Sequence, residues 1–294
     1  MGLGRIIHTA DSDMDDPLLR EAAGLRGHSR FELAVRAYAA GLVRWREGTR
    51  LMHKLSAHKE RMHVVGYLLH LSAADREAGG DGGVAYGALH ELCVARRGEV
   101  GPRVLKTMLA LMTLAGFVDS WRGVADRRVK YYRPTARMLD HARLAYGYAA
   151  EALDAIDPAP NRAQRLKSDD RFLNRMLVTA GRDHAEAPPS ERMPEFIGYI
   201  GGREGAGSVL AALMLAEIDG APLPSRAALA ARFGLSKTQV SLVIGEGVRQ
   251  GYLEVDAAGQ PASTPHLAET YRRWISIELA FHARHMRADE GIPA

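Results

Sequence analysis

Apolar residues recur along most of the chain at the three- and four-residue spacing of amphipathic helices. In the range 32–46 they include Leu33, Ala37 and Trp45, which fall on one face of a helix. Glycine and proline residues interrupt this spacing and divide it into separate helices. The helices predicted in this way are 32–46, 61–74, 86–96, 102–115, 137–156, 171–179, 208–217, 226–233, 237–250 and 265–287. The chain is therefore expected to be mainly α-helical.

Short runs of β-forming residues stand apart from the helical spacing. Residues 117–121 and 129–132 flank a turn-forming stretch at 122–126, which predicts a β-hairpin. Residues 251–255 and the turn-forming residues 256–259 predict a second one. Each hairpin directly precedes a long helix, so small β-hairpins are expected within the mainly α fold.

The order of these features is the same in both halves of the chain. Gly116 and Phe117 correspond to Gly251 and Tyr252, 135 positions later. We interpret the chain as two diverged copies of one unit of roughly 130–140 residues. The expected organisation is a flexible N-terminal tail at 1–28, a first unit at 29–156, a linker at 157–170, a second unit at 171–288 and a tail at 289–294.

The strongest local pattern is a helix-turn-helix at 225–244. A helix, a tight turn at Gly234 and a second helix capped by Ser236 follow one another. The polar residues that open the second helix are expected to face a DNA major groove. Because a hairpin follows directly, we favour two tandem winged helix-turn-helix domains plus dimerisation-type helices over an ordinary helical hairpin.

The two halves differ in net charge. The 294-residue chain carries a net charge of +4 at pH 7. Residues 84–137 carry a net +6, whereas residues 203–256 carry a net −1. A concentrated basic segment is typical of a polyanion site, because neutralising phosphates releases counterions. The first half is therefore expected to bind nucleic acid more strongly.

The segment 116–135 resembles the MarR family of winged-helix regulators. The resemblance rests on a hydrophobic strand after Gly116, the hairpin sequence Asp126-Arg127-Arg128, and Thr135 before the next helix. It implies that Arg127 and Arg128 enter a DNA minor groove while Asp126 fixes the loop. The second hairpin turn, at 256–260, has no basic residue. The second unit either contacts DNA through its recognition helix or has lost that role.

The candidate DNA contacts combine base-reading and phosphate-binding side chains. They are Arg96, Arg97, Arg103, Lys106, Thr107, Arg122, Arg127, Arg128, Lys130, Ser236, Lys237, Thr238, Gln239, Ser241 and Arg249. Base reading is expected from the residues that open the two recognition helices. Phosphate binding is expected from the first hairpin and from Arg96, Arg97 and Arg249.

These patterns predict a sequence-specific double-stranded DNA-binding transcriptional regulator, for example a repressor. The fused units would form a monomeric pseudo-dimer or associate as a homodimer, in the cytoplasm and on the nucleoid. Two alternatives remain open. One is a plasmid-type replication initiator that binds repeated origin DNA, and the other is a protein-interaction scaffold that binds no DNA.

The sequence contains few signals for a metal, cofactor or catalytic site. Cys93 is the single cysteine, and the histidine pairs provide fewer ligands than a zinc site needs, so no metal or cofactor is expected. No catalytic arrangement stands out, and no enzyme activity or membrane partner is expected. The resemblance implies a small aromatic effector. Trp45, Trp121 and Trp274 could line its pocket, although core packing is the default role for tryptophan.

Overall fold

The computed structural model describes residues 15–48, 59–257 and 259–287 and is mainly helical with two small antiparallel sheets. This confirms the mainly α class expected from the sequence. Within the described ranges, no helix has the length and apolar character needed to cross a membrane.

From Phe31 to Ile156 the first half follows the predicted order of elements, to which the structure adds a two-residue strand at Val84–Ala85. Its helices and strands are α1 (Pro17–Arg26), α2 (Phe31–Gly48), α3 (Lys59–Glu77), β1 (Val84–Ala85), α4 (Tyr86–His90), α5 (Pro102–Leu114), β2 (Val118–Arg122), β3 (Lys130–Pro134) and α6 (Ala136–Ile156). Helix α4 continues as a π-helical turn over Glu91–Arg96. The predicted boundaries of the long helices agree with these to within a few residues.

Among the described residues, the second half repeats this order with shorter strands, no counterpart of β1, and an additional 3-10 turn and helix at 189–202. Its elements are α7 (Arg162–Ser168), α8 (Asp170–Glu186), a 3-10 turn (Pro189–Arg192), α9 (Pro194–Gly202), α10 (Ala206–Ile218), α11 (Arg226–Phe233), α12 (Lys237–Arg249), β4 (Leu253–Val255), β5 (Pro261–Ser263) and α13 (Pro265–His285). Helix α11 has the predicted bounds because Ser225 caps its start and Gly234, with a φ of 67°, ends it.

The two sheets differ by one strand. In the first half the strand order is β1-β3-β2, with Val84 paired to Tyr132 and Trp121 paired to Tyr131. In the second half only β4 and β5 pair, as Leu253 with Ser263. Residues 222–224 occupy the position that corresponds to β1, and they include two prolines. Because proline cannot donate a ladder hydrogen bond, no strand forms there.

Both hairpins are closed by the same set of hydrogen bonds. The Thr135 hydroxyl donates to the carbonyls of Gly116 at 2.9 Å and Phe117 at 3.1 Å. The Thr264 hydroxyl donates to the carbonyls of Gly251 at 2.8 Å and Tyr252 at 3.1 Å. Each threonine also caps the helix that follows it, α6 or α13. Corresponding residues of the two halves thus occupy equivalent geometric positions.

Helices of each half pack against helices of the other half in reciprocal pairs. Helix α1 packs on α13 of the second half, and its counterpart α7 packs on α6 of the first. In the same way α2 packs on α10, and α8 packs on α3. Exchanging the halves maps each pair onto the other, as at a two-fold related interface. A large apolar core cluster includes residues of both halves as a result, and a smaller cluster joins α1 to α8 and α13.

This reciprocal packing corrects two sequence-based boundaries. In the expected tail at 1–28, residues 17–26 form α1, whose Leu18 and Ala22 pack with Ile277 and Phe281 of α13. In the expected linker at 157–170, residues 162–168 form α7. Its start is capped by Asp154, whose carboxylate accepts from the backbone N–H groups of residues 162 and 163 at 3.0 and 2.9 Å. The expected tail at 289–294 and residues 1–14 lie outside the described residues.

Replacing Leu18 with alanine is expected to destabilise the whole protein. The Leu18 side chain is 2% exposed, and leucine-to-alanine changes at buried sites cost about 2–5 kcal/mol. Urea denaturation followed by circular dichroism measures the loss. Leu144→Ala is the control, because that leucine is 58% exposed and its loss should change stability by less than about 0.5 kcal/mol. Equal effects of the two substitutions would contradict the packing of α1.

Candidate nucleic-acid interface and central cavity

The turn of the first hairpin is braced by its own polar groups. The Asp126 carboxylate accepts from the backbone N–H of Arg128 at 2.8 Å, and the Arg122 guanidinium donates to the carbonyl of Arg127 at 2.9 Å. A Cβ atom at Gly123 would lie 2.8 Å from the carbonyl oxygen of Asp126, so the turn needs glycine there. The side chains of Arg127 and Arg128 are exposed. Arg122 is engaged within the turn, while these two project from it.

Aromatic stacking stiffens the base of the same hairpin. The rings of Trp121 and Tyr131 stack with centroids 5.7 Å apart, and the Arg133 guanidinium lies 5.2 Å from the Trp121 ring. The Lys130 ammonium lies 5.0 Å from the ring of Tyr132 on the same strand. The hairpin therefore presents its arginines from a rigid support.

Helix α5 buries one face and exposes the residues proposed to read DNA. Leu105, Met108 and Leu109 are buried, whereas Arg103, Lys106 and Thr107 are exposed. Pro102 opens the helix, and its first turn contains no acidic residue. The partial positive charge at a helix N-terminus adds to that of the side chains and favours an anion there.

Arg96 and Arg97 have different environments. Arg96 is exposed at the end of the π-helical turn, but the Arg97 side chain is only 18% exposed. Its guanidinium lies 2.9 Å from Glu191 of the second half and 3.7 Å from Glu99. The expectation that Arg97 binds phosphate is therefore revised. It joins the loop before α5 to the second half.

Helix α12 uses two of its predicted DNA-facing residues to cap itself. The Ser236 hydroxyl accepts from the backbone N–H of Gln239 at 3.0 Å, and the Gln239 side chain accepts from the backbone N–H of Ser236 at 2.7 Å. The Gln239 amide also donates to Glu204 at 3.1 Å. All the polar atoms of the Gln239 side chain are thus engaged within the protein, which corrects its assignment as a base reader.

The other polar residues of α12 are only partly available. Lys237 and Thr238 are exposed, whereas Ser241 is half-buried. Arg249 is paired with Glu246, and hydrogen bonds from Arg249 lower the pKa of that carboxyl. In the following turn Asp256 accepts from the backbone N–H of Gln260 at 2.8 Å. That brace resembles the one in the first hairpin, but the turn sequence 256–260 contains no basic residue.

A cavity of about 260 Å³ lies between the two halves. Its walls come from α2, α3 and α6 of the first half and from α8, α9 and α13 of the second. Its aromatic lining includes Tyr38, Trp45, Tyr146, Tyr148, Trp274 and Phe281. Two of the three tryptophans singled out from the sequence therefore line it, whereas Trp121 supports the hairpin.

Ionisable side chains also face this cavity. Burial raises the pKa of Glu278 to about 7, with a smaller opposing effect from the Trp274 indole. Burial lowers the pKa values of His184 and His282 to about 3, so both imidazoles are neutral at pH 7. The His63 ring nitrogen lies 3.0 Å from the Glu99 carboxylate. Burial alone would raise the pKa of Glu99, but His63 and Arg97 bring it below its ordinary value.

The sequence offered Trp45 and Trp274 as possible pocket residues, but it did not predict the polar groups that line this cavity. One available signal was the presence of Glu278 and His282 on the otherwise apolar face of the last helix, at the four-residue spacing that places them together. The described part of the chain contains no group of three or more His, Cys, Asp or Glu side chains placed to hold a metal ion.

The buried imidazole of His282 is expected to make stability fall in acid. The unfolded state takes up a proton below pH about 6.5, whereas the folded state excludes it until pH about 3. Stability due to this group is therefore present above pH about 6.5 and is lost as pH falls. Between pH 6.5 and 5 the loss is about 1.5 kcal/mol.

Urea denaturation of the wild type and of His282→Gln over this pH range measures that contribution as a difference in slope. Glu278 has the opposite effect, because its ionisation destabilises the folded state as pH rises. This effect is common to both proteins. His266→Gln, at an exposed position of the same helix, should keep the wild-type slope. An unchanged slope in His282→Gln would contradict burial of a neutral imidazole.

A scan against protein-family models and searches of curated proteins and of solved structures found no match to this chain.

Proposed function

We propose that this protein is a sequence-specific double-stranded DNA-binding transcriptional regulator in which two tandem winged-helix units form a pseudo-dimer. The main support is the first hairpin, where Arg127 and Arg128 are exposed on a turn braced by Asp126 and Arg122. A hairpin that only connected two elements would not need two outward-facing arginines on an internally braced turn.

Helix α5 and the hairpin suit the two grooves of DNA. The exposed Arg103 and Lys106 can donate to base edges in the major groove, where each base pair presents a distinct set of acceptors. The arginines of the hairpin suit a narrow minor groove, whose negative potential is enhanced. Because β2 packs on α5, the two contacts would be held in a fixed relation.

The charge distribution supports a stronger role for the first unit. Its net charge of +6 over 84–137 contrasts with −1 over 203–256. In the second unit Lys237 and Thr238 remain exposed, but Gln239 is engaged in the helix cap. We therefore propose that the second unit makes the weaker DNA contact. Two unequal units need not bind a palindrome, since palindromic sites mirror identical subunits.

The proposed regulatory role is supported by the resemblance of 116–135 to MarR-family proteins, and the proposed cytoplasmic, nucleoid-associated location goes with the proposed DNA binding. Sequencing the DNA that co-purifies with the protein tests the regulatory role. Enrichment of promoter fragments supports it. A repeated origin array would instead indicate a replication initiator, and an absence of enrichment would indicate a scaffold.

The double substitution Arg127→Ala/Arg128→Ala is expected to weaken binding to duplex DNA about tenfold. It should also reduce the slope of log K against log salt by about 2. Each lost phosphate contact lowers the number of counterions released on binding by nearly one. Fluorescence anisotropy with a labelled fragment at several salt concentrations measures both quantities.

The charge-matched control is Arg20→Ala/Arg171→Ala, which removes two exposed arginines on α1 and α8. It should retain most of the wild-type affinity and salt slope. If both double variants lose affinity equally, binding depends on net charge alone and the hairpin has no special role.

A further inference from the structure

One face of α13 carries polar groups into the cavity between the halves. Trp274, Glu278 and His282 follow one another at intervals of four residues and all line it. His282 is 7% exposed, and its Nδ1 atom has no hydrogen-bond partner among the described residues. Buried polar atoms are nearly always hydrogen-bonded in native proteins. This part of the cavity therefore has the chemistry of a site for a polar ligand.

Glu278 is the acidic member of this row. Within the described ranges it forms no ion pair, and no basic side chain lowers its pKa. Its charge acts on the neighbouring hydroxyls of Tyr38 and Tyr148 and raises their pKa values, although burial is the larger cause in both. A carboxylate buried without a cation is costly, and binding a cation would relieve that cost.

The aromatic side chains of Tyr38, Tyr148 and Trp274 lie close enough to the same carboxyl group to interact with it. The Tyr38 ring contacts Tyr148 edge-on at 4.8 Å and Trp274 edge-on at 5.5 Å between centroids. The Trp45 and Tyr148 rings are 5.8 Å apart. Aromatic faces attract cations, and several rings arranged around one point form the usual site for ammonium groups in proteins.

Within the described ranges, no basic residue of the cavity forms an ion pair with the Glu278 carboxyl group. The imidazoles of His184 and His282 are neutral because burial lowers their pKa values to about 3. The Arg46 guanidinium lies over the Trp45 ring, 4.4 Å from its centroid, and is not among the groups that shift the pKa of Glu278. Arg46 and Glu278 both act on the Tyr148 hydroxyl: burial is the largest cause of its raised pKa, the Glu278 charge raises it further and the Arg46 charge lowers it.

We propose that the cavity binds a small organic cation, with its ammonium group against the Glu278 carboxylate and its apolar body among the rings of Tyr38, Tyr148 and Trp274. His282 offers a hydrogen bond to a polar substituent of the ligand. The cavity volume of about 260 Å³ suits a small molecule, being just below the range for drug-sized ligands. This inference does not depend on DNA binding.

Isothermal titration calorimetry of the full chain without DNA tests the proposal with benzyltrimethylammonium, benzyl alcohol and phenylacetate. These compounds share a phenyl ring and differ in charge. The cation is expected to bind with one site per chain and at least about tenfold more tightly than the other two, because only it pairs with the carboxylate. Equal binding of all three, tighter binding of phenylacetate or no binding of the cation would overturn the proposal.

Substitution of the carboxyl group locates the site. Glu278→Gln should weaken binding of benzyltrimethylammonium at least about tenfold, since the shape is kept and the charge is lost. Glu254→Gln, at an exposed position on β4, should bind as the wild type does. Circular dichroism and the melting temperature establish that both variants are folded. Unchanged affinity in Glu278→Gln would place the cation elsewhere.

The pH dependence in the wild type is an independent test that needs no variant. The charge of benzyltrimethylammonium does not titrate, so its affinity should rise between pH 6 and 8 as Glu278, with a pKa of about 7, loses its proton. The other titratable groups that line the cavity are Tyr38, Tyr67, Tyr146, Tyr148, Arg46, His63, His184 and His282. A flat profile, or an affinity that falls over this range, would contradict a role for Glu278.

Discussion

The structure depends on the burial of apolar helix faces that each half supplies to the other. Helices α1 and α7 are short, and each finds its packing partner in the opposite half. The close approach of α8 to α3 illustrates how tight this packing is. A Cβ atom at Gly181 would lie 2.4 Å from the His70 side chain, so α8 can reach α3 only with glycine at that position. Neither half can leave the other without exposing core residues to water.

The central cavity is a consequence of the same reciprocal packing, because its walls come from helices of both halves. It is also connected to the candidate nucleic-acid interface. His63 lines the cavity and contacts Glu99, which lies in the loop just before α5. Arg97 of that loop reaches Glu191 in the second half, next to the cavity residues Pro189 and Ser190. The loop that precedes α5 is thus held by contacts that run through the wall of the cavity.

Local signals allowed much of the fold to be predicted from sequence. The bounds of α11 follow from Ser225 and Gly234, which act on adjacent backbone groups, and the first hairpin follows from its composition. Helix α1 was not predicted because its stabilising contacts are with Ile277 and Phe281, more than 250 positions away. Short helices with such distant partners have no periodic pattern long enough to identify them.

The candidate site shows the same division. The brace by Asp126 and the exposure of Arg127 and Arg128 agree with the sequence-based reading. Arg97 could not be assigned because its partner Glu191 is 94 residues away. The role of Gln239 could have been recognised, since serine followed three residues later by glutamine is a known capping signature. The cavity could not be located from local sequence patterns, because its walls are formed by helices of both halves.

The pairing of α1 with α13 has a consequence for how the chain reaches its native state. Helix α1 packs on α13, so it is synthesised well before the helix that covers it. Until α13 is made, Leu18 of α1 is open to solvent. The faces of α2 and α3 that pack on α10 and α8 are exposed only until those two helices are made. Contacts between such distant segments slow folding, and exposed apolar surface favours aggregation. Chains released before α13 is made would therefore be natural clients of chaperones and proteases.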